Sequence, residues 1–369
     1  MSDLRYWVGF NIVHGIGPTR LRALLDHFGA IDRAWHAPAA ELQAAGLDRR
    51  SIRNLLQTRS ERDLGLELER LAESRVRVLT WESTEYPRLL REIPDAPPVL
   101  YVKGTLTDND AWAVAVVGTR RASAYGREVT RRLASALARS GITIVSGMAR
   151  GIDAEAHWTA LKTGGRTVAV LGCGIDQVYP PEHRQLAAEI EAAGAIISDY
   201  PLGTQPDGKN FPPRNRIISG LSMGVLVTEA GKRSGALITA DYAAEQGRDV
   251  FAVPGSILSN NSIGTNGLIQ DGAKMVTRPE DILEELNLSM VIEQREVRQI
   301  LPSNEVEALL LARLSGEPVH VDELRRQVNI PIAEVTSTMA LMELKGLVRQ
   351  VGGMKYIVAR ESTVEYIVD

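Results

Sequence analysis

Six short apolar runs set the fold: AVAVV at 113–117, ITIV at 142–145, TVAVL at 167–171, AII at 195–197, VLV at 225–227 and VFAV at 250–253. Between them lie helical patterns of roughly 10 to 16 residues. Strands this continuously apolar are buried on both faces, which requires a parallel sheet covered by helices. The alternation predicts an α/β fold, with a Rossmann-like, doubly wound, mostly parallel sheet over residues 69–290. RVRVLTW and PPVLYVKG read as further strands leading into it. Ligands of such folds bind beyond the carboxyl ends of the strands.

Both flanks read differently. In HGIGPTRLRALLDHFG, a proline suited to starting a helix precedes Leu21, Leu24, Leu25 and Phe28 at helical spacing. Residues 1–68 are therefore expected to form a small helical domain of the sterile-alpha-motif or helix-hairpin-helix type. Its Gly15-Ile16-Gly17 turn either offers backbone N–H groups to a phosphate or serves packing alone. A charged helical connector follows at about 60–75, and the α/β rhythm stops near 285–302. Residues 300–369 then give helix, turn, helix, strand, Gly-Gly turn and strand, the order of a winged helix-turn-helix. The helix in the recognition position, IAEVTSTMALMELKG, carries almost no base, so contact with protein is favoured over reading of duplex DNA.

Composition narrows the function. A chain of 369 residues exceeds what one hydrophobic core sustains. No apolar run reaches the roughly 18 residues of a membrane helix, and MSDLRYWVGF lacks the pattern of a secretion signal, so a cytoplasmic protein without membrane contact is expected. The single cysteine, Cys173, excludes an internal disulfide framework and reads as a packed core thiol. Six histidines form no metal-ligand spacing, so no metal is expected. A net charge of −4 speaks against nucleic acid until its distribution is considered. Between Gly118 and Arg150 seven arginines face one acid, Glu128, a local balance of 7 − 1 = +6.

Three motifs sit where ligands would bind. In AVVGTRRAS, Gly118, Thr119 and Arg120 lie between a strand and a helix start, a place where N–H groups and a guanidinium converge on an anion. It lacks the third glycine of a dinucleotide fingerprint, so no nicotinamide cofactor is expected. IVSGMARGIDAEAH repeats the arrangement with Ser146, Gly147, Arg150 and Gly151, either as a second phosphate loop or as tight turns for packing. In GKNFPPRNRIISGLS, Lys209, Arg214 and Arg216 surround Phe211. Cations that track phosphates, beside a ring that stacks on an unpaired base, suit a single strand. GKRSG at 231–235 is no Walker motif, because Leu226 and Arg233 stand where glycine and Ser or Thr are required.

Together GTRRAS, SGMARGIDAEAH, AVLGCGIDQVYP, FPPRNRIISGLS, SGALITADYA, GRDVFAVPGS and GTNGLIQDGA resemble the DprA/Smf family, and the resemblance spans essentially the whole chain. It implies a homodimer that binds and protects single-stranded DNA in natural transformation and homologous recombination. It further implies promotion of RecA loading past single-strand-binding protein, with no catalytic activity and no cofactor. Carried onto this sequence, Arg120 would hold phosphates, Lys209 would line the same pocket, Phe211 would stack on a base, and Arg214, Asn215 and Arg216 would shape the groove.

Two other classes compete. An enzyme acting on a small nucleotide, as in the related lysine-decarboxylase-like group, would draw on Asp153, Asp176 or Glu229, each of which also suits a helix cap. A nucleotide-sensing transcription regulator would use the winged helix and needs the bases that its recognition helix lacks.

Overall fold

The computed structural model describes residues 4–288, 304–314, 318–328, 330–344 and 347–358. The chain divides into two units after Leu286. Most of the connecting segment expected at 285–302, and the end of the expected third domain beyond residue 358, lie outside the described residues.

In the first unit a nine-stranded sheet runs in the order β1-β2-β6-β5-β4-β3-β7-β8-β9. The strands are β1 (Arg77–Thr80), β2 (Val99–Gly104), β3 (Ala113–Gly118), β4 (Thr143–Ser146), β5 (Thr167–Val170), β6 (Ala195–Ser198), β7 (Gly224–Glu229), β8 (Asp249–Ala252) and β9 (Lys274–Met275). All six expected apolar runs are strands, and all pair in parallel. β1 and β2 join the β6 edge antiparallel. The alternation of side chains sorts the core into two layers. Ala113, Ala115, Val117, Val225 and Val227 face the helices Phe211–Gly220 and Gly235–Glu245. Ala169, Leu171 and Ile196 face the opposite layer, which holds the helices Ile152–Lys162 and Arg184–Ala193.

The N-terminal helices share that second layer. Pro18 opens the helix Pro18–Phe28, and Gly29 ends it in the left-handed conformation at φ 73°. Trp7 meets Trp81 edge-on at 5.9 Å, and Tyr101 donates its hydroxyl to Asn11 Oδ1 at 2.9 Å. Helices and sheet thus bury one continuous apolar cluster, from Trp7 and Phe10 to Tyr101 and Leu186.

The second unit has helices Glu305–Leu311, Val321–Val328 and Ile332–Leu344, and a three-stranded sheet of Val319–His320, Lys355–Val358 and Val348–Gln350. Leu310, Leu324, Val335, Met339, Met342 and Tyr356 close its core. This is a winged helix-turn-helix, as expected, and Ile332–Leu344 carries Glu334 and Glu343 and no base.

Candidate nucleic-acid interface

The sheet order fixes where a ligand would sit. β3 leads to β4 on one side, whereas β7 returns to its other side, so the strand order reverses between β3 and β7. Open α/β sheets place their binding crevice at such a point. Here a cleft of about 510 Å³ is lined by the loop Gly118–Arg121, by Phe211, Arg214 and Asn215, by Arg233–Ala236 and by Asn261.

Arg120, Arg121 and Arg233 are exposed at this cleft. The loop that carries the first two is pinned at its base, where Thr119 N–H donates to the Glu229 carbonyl at 2.7 Å. Thr119 Oγ1 then accepts the Arg121 N–H at 3.2 Å, which turns the chain into the helix Ala124–Arg139. Gly118 leaves room for Ile152, whose side chain a Cβ would strike. Asn215 lines the cleft and donates to the Gly235 carbonyl at 3.2 Å.

Phe211 departs from its expected role as a free stacking platform. Its ring is half-buried and stacks on Tyr179 at 5.6 Å, while the guanidinium groups of Arg120 and Arg214 lie 5.3 Å and 5.9 Å from its centre. Apolar surface on Phe211 and Tyr179 is covered by this mutual stacking, and the ring supports Arg120 from below. Arg120, Arg150, Tyr179 and Phe211 also line a smaller recess beside the main cleft.

Of the other cations of that segment only Arg214 reaches the cleft, and it does so from its floor. Lys209 is exposed and pairs with Asp207 at 3.1 Å. Arg214 is buried beneath the cleft, where Nη1 donates to the Gly147 carbonyl at 2.8 Å and to the Val170 carbonyl. Arg216 does not line the cleft; it is held by Asp199 at 2.8 Å in a largely buried ion pair and by the half-exposed Asp95 at 3.2 Å. Its expected place in the groove is corrected: a guanidinium clamped by two carboxylates has no charge to spend on a phosphate.

Of the two readings left open for the second motif, tight packing turns describe three of its four residues. Ser146 is buried and donates to the Val116 carbonyl at 2.7 Å, stitching β4 to β3. At Gly147 a Cβ would fall on the Arg214 guanidinium. Gly151 takes φ +78° and lets the chain pass against the Thr119 carbonyl, which accepts the Ile152 N–H at 3.2 Å. Only Arg150 faces solvent, paired with Glu182 at 2.6 Å.

The three candidate acids are all engaged. Asp153 is buried and accepts the N–H groups of Gly147 and Ala149 at 3.2 and 3.3 Å; burial raises its pKa, opposed by the nearby Arg214 charge. Asp176 accepts the Gly203 N–H at 2.9 Å, and Glu229 accepts the Ser123 N–H at 2.9 Å. Cys173 is buried, and desolvation pushes its thiol up to about 11. Among the described residues no group of three or more His, Cys, Asp or Glu is placed to hold a metal, and no helix is long and apolar enough to cross a membrane.

Sequence reasoning missed the far wall of the cleft. GKRSG, considered only as a nucleotide-triphosphate motif, supplies Arg233 and the N-cap Ser234, which accepts the Ala236 N–H. A serine ahead of a helical pattern was the available signal. Asn261 gave none, since it reaches the Arg121 carbonyl from 140 residues away.

An α/β sheet with exposed arginines at a cleft where the strand order reverses, followed by a winged helix, defines a Rossmann-like protein with an appended winged-helix module. Residues 77–287 match the family described as DNA recombination-mediator protein A, and residues 294–354 match the DprA winged helix domain. The chain belongs to this DprA/Smf family. It is 38% identical to Protein Smf of Synechocystis sp., over 96% of this chain and 98% of that one. The crystal structure of DNA processing protein A from Streptococcus pneumoniae aligns with a TM-score of 0.68 at 36% identity, covering 77% of this chain and 99% of that one. The Helicobacter pylori protein, whose structure was described for its single-stranded DNA binding mode, aligns with a TM-score of 0.52 at 31% identity, covering 58% and 97%.

Proposed function

We propose that this recombination-mediator family member binds single-stranded DNA in the cleft between β3 and β7, protects it, and promotes its handover to RecA past single-strand-binding protein. The reading places it in the cytoplasm as a homodimer acting in natural transformation and homologous recombination. The observation that carries it is an open cleft where Arg120, Arg121 and Arg233 are exposed while the three candidate acids are engaged. Among the described residues these three arginines form no ion pair, and such cations are what a phosphate chain neutralises. The single-strand binding described for the Helicobacter pylori relative supports the same reading.

The protein acts in this account by binding, not by bond making. Asp153, Asp176 and Glu229 each accept backbone N–H groups, which suits acids that hold loops and helix starts in place. Anisotropy of a labelled oligonucleotide, as single strand and as duplex, tests the proposal. The single strand is expected to bind more tightly, and Arg120→Ala and Arg233→Ala are each expected to weaken it by about tenfold, the worth of one charge-assisted hydrogen bond. Wild-type affinity in both variants would refute it. In a second assay, RecA assembly on strands coated with single-strand-binding protein is expected to accelerate when the chain is added.

A further inference from the structure

The helix Ala124–Arg139 follows β3, the place where nucleotide-binding folds of this architecture seat a ligand's phosphates on the helix N-terminus. That end concentrates about half a positive elementary charge. In this chain it already faces an anion. Glu229, at the end of β7, is 3% exposed, and its Oε2 accepts the Ser123 N–H at 2.9 Å. Oε1 accepts from Asn261 Nδ2 at 3.3 Å. Gly126, in the first turn of the helix, has no side chain where a Cβ would fall on this carboxylate. An ionised carboxylate is costly to bury, and N–H donors with a helix end are what hold one there.

We propose that Glu229 is a built-in substitute for a ligand phosphate, and that it makes the cleft reject free nucleotides and diphosphates. The specificity then follows from two helix ends, one buried behind the loop Gly118–Arg121 and one that lines the cleft. The first is filled by Glu229. The second, at Gly235–Glu245, lines the open cleft beside Arg233. A free diphosphate, which has only its own few anionic oxygens to spend, loses one of two positions. A polynucleotide needs only the open position, because its neighbouring phosphates reach Arg120 and Arg121 at the rim. The exclusion of diphosphates rests on the Glu229 geometry alone; its use in selecting a strand rests on the function proposed above.

Replacing the anion from solution tests this. Glu229→Ala is expected to melt at a lower temperature than wild type in sodium chloride and to recover several degrees in sodium phosphate of equal ionic strength, whereas the wild type shows no phosphate-specific gain. Titration calorimetry with inorganic pyrophosphate is expected to give at least tenfold tighter binding to Glu229→Ala than to wild type. Glu229→Gln keeps the volume and loses the charge, so it carries the test if the alanine variant does not fold; at least a threefold gain for pyrophosphate is expected. Equal pyrophosphate affinity in wild type and in every variant that folds would overturn the proposal. Binding of single-stranded DNA by wild type and Arg120→Ala, measured alongside, reports separately on the cleft as a DNA site.

Discussion

The loop after β3 and the loop after β4 each place glycine, a small hydroxyl residue and arginine ahead of a helix, yet the first turns two exposed arginines to the cleft, whereas the second buries Ser146 and Gly147 and leaves Ala149 and Arg150 at the rim. Arg120 and Arg121 stand at the cleft, whereas Ser146 bonds a neighbouring strand and Gly147 lies under Arg214. Position in the sheet makes the difference. β3 borders the point where the strand order reverses, so its end faces a gap; β4 lies inside the run β5-β4-β3, and its end meets the loop before it. Similar residues bind or pack according to whether the next strand leaves room.

The sharpest way to break this contrast is Gly151→Ala. A side chain at φ +78° costs about 1 kcal/mol, and its Cβ would fall on the Thr119 carbonyl, so a total loss of about 3 kcal/mol is expected in urea unfolding. Gly203→Ala is the control: at φ +80° with nothing within 4 Å, it is expected to lose only about 1 kcal/mol. Equal losses would mean that the second loop is not closed against the first.

Next in size is a pH dependence in the helix that follows the second loop. His157 is fully buried with Nδ1 2.6 Å from Thr167 Oγ1, and burial, with smaller contributions from His183 and Arg214, drops its pKa from 6.5 to about 3. Below pH 6.5 the unfolded chain takes up a proton that the folded chain refuses, so stability falls as the pH drops from 6.5 toward 3. At pH 5 that loss is about 2 kcal/mol. His157→Gln is expected to remove it, read as a smaller difference between urea midpoints at pH 7 and pH 5. Parallel profiles for variant and wild type would contradict it.

The open side gives a smaller effect. Phe211→Leu keeps apolar volume and removes the ring beneath Arg120, and about a threefold loss of single-strand affinity is expected, the worth of one exposed cation–π contact. No loss would show that Arg120 holds its position without the ring.

The fold was largely legible because the six apolar runs leave few alternatives to a covered parallel sheet. β9 was not, since Lys274 and Met275 are both exposed and present no apolar run. The antiparallel direction of β1 and β2 was equally hidden, because pairing direction is not written in a strand's own residues. At the site, the Gly118–Arg120 loop was readable from its strand-to-helix position. The burial of Arg214 and Arg216 and the half-burial of Phe211 were not readable, because charge and aromaticity in a glycine- and proline-bearing loop look solvent-facing until distant partners are known. For Arg216 those partners are Asp95 and Asp199, and for Arg214 they are two backbone carbonyls.

We propose that the phosphates of a bound strand lie along the loop after β3 and not along the loop after β4. The dependence of single-strand affinity on salt counts the phosphates neutralised, at about 0.7 log units per phosphate. Measured for wild type, Arg120→Ala and Ser146→Ala, the slope is expected to fall by about 0.7 for Arg120→Ala and to stay at the wild-type value for Ser146→Ala. An unchanged slope for Arg120→Ala, or an equal fall for Ser146→Ala, would contradict the account.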